Sequence, residues 1–120
     1  MSLTDQEWQD LNRRNFTNHP ALAGGWKPGQ CPITVKHFER YCSAHKQWDP
    51  HEIPPPDLRE DSTFVRVLAW TLKRWRVKFV GNSVGVYCVL DPDFGPIYQG
   101  KGDTPHEALA RALSQMEPVT

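Results

Sequence analysis

The sequence predicts an α+β domain: a three-stranded antiparallel sheet over about 75–100, packed with flanking helices in the order α-β-β-β-α. N-terminal helices and proline-rich loops precede it. Three observations carry this. Near Lys73 and Arg74 the hydrophobic pattern changes from helical spacing to strict alternation. The turn clusters Gly81-Asn82-Ser83 and Asp91-Pro92-Asp93-Phe94-Gly95-Pro96 then cut the β-prone stretch into three strands. Finally, seven of the eleven prolines lie within residues 1–60, which makes the first half loop-rich.

Thr4-Asp5-Gln6-Glu7 is a capping box, and Trp8 and Leu11 follow at helical spacing, so a helix is expected over about 5–15. Residues 16–32 contain Gly24-Gly25, Lys27-Pro28-Gly29 and Cys31-Pro32 and read as loop, pinned by Leu22 and Trp26. Thr34 is placed to cap a second helix over about 35–46. Val35, Phe38, Tyr41, Cys42 and His45 would form its single apolar stripe. Asp49-Pro50 to Pro56 is a semi-rigid connector. It separates a helical, loop-rich region, 1–56, from the sheet core, 57–120, within one folded unit.

A third helix starts at Asp61 or Ser62, with Phe64, Val65, Leu68, Ala69 and Leu72 on its apolar face, and spans about 61–73. Trp75, Val77 and Phe79 alternate with Arg74, Arg76 and Lys78, which is strand spacing. Val84, Val86, Cys88 and Leu90 alternate with Gly85, Tyr87 and Val89, a strand partly covered on both faces. Ile97-Tyr98-Gln99 forms the third strand, left through Gly100-Lys101-Gly102. Thr104-Pro105-His106-Glu107 supplies an N-cap, an N1 proline and an N3 acid together. Leu109, Ala112, Leu113 and Met116 give the last helix, about 104–116, its stripe, and Pro118 stops it. The two helices of the second half are expected to cover one face of the sheet, and the N-terminal helices the remaining face or edge.

Composition narrows the function classes. Among 120 residues there are 14 basic and 14 acidic side chains, a formal net charge of zero. A dedicated nucleic-acid module normally carries excess Lys and Arg to neutralise phosphates. The zero is a sum of unlike parts: residues 61–90 carry five bases and one acid, and residues 91–120 two bases and five acids. That bipolar half suits protein partners. The start, Met1-Ser2-Leu3-Thr4-Asp5, lacks the basic and apolar segments of a secretory signal, and no window is apolar enough to span a bilayer, so no membrane association is expected. Three widely spaced cysteines, Cys31, Cys42 and Cys88, do not make a disulfide framework and point to a reducing, cytoplasmic compartment.

Trp75 through Met116 combines an aromatic-rich hairpin, a short strand, a turn with Asp103-Thr104-Pro105 and an Ala/Leu helix. Over these roughly 45 residues the chain resembles the small phage-encoded proteins with the "ABA sandwich" domain. The resemblance implies a phage or prophage accessory protein, cytosolic in the host, with no chemistry attached. An anti-CRISPR-like inhibitor of a host or defence protein would fit this size and architecture. The helix–three strands–helix order is also similar to the double-stranded-RNA-binding domain. That family places lysines at the start of its final helix to meet phosphates. Here those positions read Thr104, Pro105, His106 and Glu107.

The sharpest candidate surface is a basic-aromatic stripe: Arg66, Trp70, Lys73, Arg74, Trp75, Arg76 and Lys78. It is the expected partner-binding site, through which the chain would mask a host or defence protein. Nucleic acid is the alternative, its backbone tracked by the cations and its bases stacked on the tryptophans. The plainer account is that Arg74, Arg76 and Lys78 are the solvent side of an edge strand, where charge blocks edge-to-edge pairing. Trp26 and Trp48, with Trp70 and Trp75, exceed what a small core needs; they read equally as half-exposed anchors for a partner or as fillers of irregular core volume under the long loops.

His37, Cys42, His45, His51 and Cys31 raise the question of zinc, but no C-x2-C pair is present. The expectation is no metal and no cofactor, with Cys42 partly buried and His45 at its rim. Pairing Cys42 or Cys88 with a histidine as nucleophile and base has no supporting context. Gly100-x-Gly102 before a helix is a weak anion-loop signal. The expected function is therefore non-enzymatic binding.

Overall fold

The computed structural model describes residues 3–29, 31, 41–42, 47–48, 51–92 and 94–116. The elements are α1 (Asp5–Asn18), a 3-10 turn (Pro20–Leu22), β1 (Tyr41–Cys42), β2 (Gln47–Trp48), α2 (Asp61–Leu72), β3 (Arg76–Asn82), β4 (Gly85–Asp91), β5 (Tyr98–Gly102) and α3 (Pro105–Ser114). The α+β class with helices flanking a three-stranded sheet is the observed architecture.

α1 opens on the capping box, with the Glu7 amide donating to Thr4 Oγ1 and the Thr4 amide donating to Glu7 Oε1, each at 3.2 Å. It runs three residues beyond the predicted end. The reason is that its last turns bury polar residues, which an apolar count passes over: Asn12 and Asn15 are buried beside Phe16. Asn15 Nδ2 donates to the Ala110 carbonyl of α3 at 3.0 Å.

The predicted second helix is corrected at its end. Tyr41–Cys42 and Gln47–Trp48 are antiparallel strands, with Tyr41 opposite Trp48 and Cys42 opposite Gln47. The Tyr41 and Trp48 rings meet edge-on at 5.2 Å, a cross-strand aromatic pair that a helix would not allow. The rest of that helix, with Val35, Phe38 and His45, lies outside the described residues.

The sheet is a meander in the order β3-β4-β5, with β3 and β5 at the edges. Val77 pairs with Leu90, Phe79 with Cys88, and Cys88 in turn with Gly100. Alternation therefore sends Val77, Phe79, Val86, Cys88, Leu90 and Tyr98 to one side, where they join the core with Val67 of α2 and Leu109, Ala112 and Leu113 of α3. Phe64 of α2 reaches the same side, its ring 6.4 Å from Phe79 and 4.2 Å from His106.

The N-terminal helix does not cover the remaining face of the sheet. α1 stacks on α3 instead, giving the layer sequence α1, α3, sheet. Its Trp8 and Phe16 extend the core outward from α3. Among the described residues, the sheet's second face carries none of the core residues.

Buried His19, just past α1, places Nε2 3.4 Å from the Leu113 carbonyl. Burial pushes its imidazole below the ordinary value, and the Leu113 carbonyl pulls partly the other way. The unfolded chain therefore takes up this proton first, so stability is full above the unfolded value, near 6.5, and is lost as pH falls below it. Urea midpoints at pH 7.5, 6.5 and 5.5 should decline, and His19→Gln should flatten that decline. An identical decline in the variant would exclude His19 as its source.

Candidate docking face of the sheet

The seven residues of the basic-aromatic stripe fall at three places. Arg66 lies on the exposed side of α2, its guanidinium over Gly24, where a Cβ would run into it. Trp70 and Trp75 pack half-buried against the core at the α2–β3 corner, ring centroids 5.4 Å apart, and Arg74 lies 4.2 Å above the Trp70 ring. Lys73 caps the C-terminus of α2, where a cation suits the helix dipole. Arg76 and Lys78 alone point out from the uncovered face of the sheet, on edge strand β3.

That face is built by register. Lys78 is opposite Val89, which is opposite Gln99; Val80 is opposite Tyr87, which is opposite Lys101; Arg76 is opposite Asp91. The centre is apolar, made by Val80, Tyr87 and Val89; Lys78 flanks it on β3 and Lys101 on β5, while Arg76 stands opposite the acid Asp91. Lys101 Nζ lies 5.5 Å from the centre of the Tyr87 ring, a cation–π contact across the β4–β5 pair. Val80 is 41% exposed, and Tyr87 and Val89 are half-buried.

Sequence reasoning missed Val80, Tyr87, Val89 and Lys101 as members of this surface because it followed consecutive residues and stopped at Lys78. The signal was present in the alternation itself. Carrying it through the Asn82 turn puts Tyr87 and Val89 on the Lys78 side. Asn82 Oδ1 closes that turn by accepting from the Val84 amide at 2.8 Å and the Gly85 amide at 3.1 Å.

The N-terminus of α3, where a double-stranded-RNA-binding domain places lysines, is filled by the chain's own groups. Thr104 Oγ1 accepts from the Glu107 amide at 3.2 Å. Glu107 is buried, and its Oε2 accepts from the Asp103 amide at 2.6 Å. His106 Nε2 lies 2.9 Å from Asp61 Oδ1. A carboxylate already occupies the positive end of the helix, so an incoming phosphate would meet like charge there. Gly100 and Gly102 serve packing rather than anion binding: Cβ atoms there would collide with the α3 backbone and with the Glu107 side chain respectively.

Cys88 is fully buried under α3, and burial pushes its thiol up to about 12, so it stays protonated and unreactive. The remaining two cysteines have a different setting. The Cys31 amide donates to the His51 carbonyl at 3.0 Å, and the Ile53 amide to the Gly29 carbonyl at 2.9 Å. These bonds lay Cys31 beside His51, and Cys42 of β1 joins them. One ligand atom from each of Cys31, Cys42 and His51 lies within 4.8 Å of the others.

No family model, no curated protein and no solved structure matches this chain. Among the described residues no helix is long and apolar enough to cross a membrane.

Proposed function

We propose that this chain is a non-enzymatic binding protein that docks the open face of its sheet against an acidic surface of a protein partner. The supporting observation is the composition of that face: an apolar centre of Val80, Tyr87 and Val89, flanked by Lys78 on one side and Lys101 on the other, with Arg76 opposite Asp91 at the end of the face. Protein interfaces place aromatic and apolar anchors at the centre and polar groups at the rim, and a basic rim selects an acidic partner. A nucleic-acid backbone is served less well, because the whole chain is neutral and α3 begins on its own buried carboxylate. On the resemblance to phage ABA-sandwich domains, the partner proposed is a host or defence protein met in the host cytoplasm, which the chain would inhibit by masking its surface.

The test is a double variant, Lys78→Glu with Tyr87→Ala. Both side chains leave the core untouched, so folding should be unchanged. A partner captured by the wild-type chain, then purified and titrated, should bind the variant at least about 30-fold more weakly, a hot-spot loss of roughly 2 kcal/mol. Arg14→Glu on α1, on the far side of the molecule, should bind as wild type. A captured protein that binds the face variant and the wild type equally would refute the reading. So would a gel shift of a generic single-stranded oligonucleotide that weakens steeply with salt and vanishes in the variant, because the face would then belong to nucleic acid.

A further inference from the structure

We infer that Cys31, Cys42 and His51 form a zinc site. Two thiolates and an imidazole are the donor set that Zn2+ takes in tetrahedral sites, with bonds of about 2.0–2.3 Å. Around such an ion, neighbouring ligand atoms stand about 3.5–3.8 Å apart, as those bond lengths require. The three ligand atoms here already lie within 4.8 Å of one another, so closure needs shifts of about an ångström or less. The three residues are eleven and nine positions apart in the chain, so their meeting is a property of the fold.

A further observation agrees. The elements that carry the ligands are too short to stand alone. β1 and β2 have two residues each, and the Gly29–Cys31 segment meets His51–Ile53 through two backbone hydrogen bonds. Hairpins of that size are marginal in water, and a metal ion is a common staple where apolar area is lacking. Binding would release the two thiol protons to solvent as the thiolates coordinate. The remaining position is for water.

The sequence spacing hid the site because a paired C-x2-C knuckle was the pattern sought. Here each ligand comes from a separate short segment, and hairpin pairing does what close spacing does in a knuckle.

The test is metal content of the full chain, purified under reducing conditions without chelator and passed through gel filtration with zinc removed from the buffer. One zinc per chain is expected. Cys31→Ser and His51→Ala should lose it, while Cys88→Ala, altered in the core, should keep it. Should a variant fail to fold, the wild-type chain still decides the matter. After zinc removal, one equivalent of Co2+ should produce thiolate-to-cobalt charge-transfer absorption, which one equivalent of Zn2+ abolishes. EDTA should raise protease cleavage between Gly29 and Ile53 and leave the sheet protected. A chain that holds no zinc and gives no cobalt–thiolate absorption would overturn the inference. So would full zinc occupancy in folded Cys31→Ser, or a Cys31–Cys42 disulfide that persists in reductant.

Discussion

Gly100→Ala should destabilise the fold by about 3 kcal/mol. Gly100 lies in β5 beneath α3, and a Cβ added there would collide with the Ala108 carbonyl and the Ala112 amide. Both are helix backbone atoms, which cannot swing aside as a side chain can. The helix itself must lift from the sheet, and Leu109 and Leu113 would lift with it. The sign is the discriminating part. Strand propensity alone favours alanine over glycine by roughly 0.5–1 kcal/mol. A measured gain would mean that α3 does not approach the strand as closely as described. Chemical denaturation against wild type reads the difference, with Lys101→Ala on the open face as the control, expected within about 0.5 kcal/mol.

Asn12→Ala should cost about 2 kcal/mol, from one lost hydrogen-bond pair and a buried amide left without its acceptor. Asn12 is buried on α1, and its two side-chain groups hold the chain just before α2. Oδ1 accepts from the Leu58 amide at 3.2 Å, and Nδ2 donates to Asp57 Oδ1, also at 3.2 Å. Leu58 is fully buried, so its amide has no water to turn to. Asp57 is held further by the Arg59 amide at 2.9 Å and by the Arg59 guanidinium, which also pairs with Asp5 of α1. Burial works against the Asp57 charge, but hydrogen bonds from Arg59 and Asn12 outweigh it and hold its carboxyl below the usual range. The Asp57 contribution is therefore present above the unfolded value, near 4, and is lost as pH falls through the folded one. Asn12→Ala should weaken that acid dependence as well as lower the urea midpoint at neutral pH. A loss under about 0.5 kcal/mol would show that the connector is held by packing alone.

These two residues show where sequence reading stops. Gly100 and Asn12 are ordinary in sequence: one is a loop-like glycine, the other a polar residue in a helix. Their importance comes from Ala108 and Leu58, eight and forty-six positions away. By contrast, the α3 cap is legible because Thr104, Pro105 and Glu107 act on adjacent amides. The β3–β4 hairpin is legible because alternation and the Asn82 turn are both local.

The seven-residue stripe marks the boundary between the two cases. Its residue types are readable, but α2 ends at Leu72 and β3 begins at Arg76, so the chain turns a corner within the stripe. Trp70, Arg74 and Trp75 become a stack on that corner, and only Arg76 and Lys78 reach the open face.

The sequence by itself determined the α+β class, the helix caps, the alternating strands and the neutral but bipolar charge, because each depends on neighbours within a few positions. Only the tertiary structure decided which face of the sheet stays open. α1 buries Trp8 and Phe16 against α3, and the apolar pattern of a helix does not say which partner it covers. Tertiary structure likewise decided that Tyr87 and Lys101 share that face with Lys78, and that Cys31, Cys42 and His51 meet. Strand register and loop closure set those distances, and both are fixed by contacts between residues far apart in the chain.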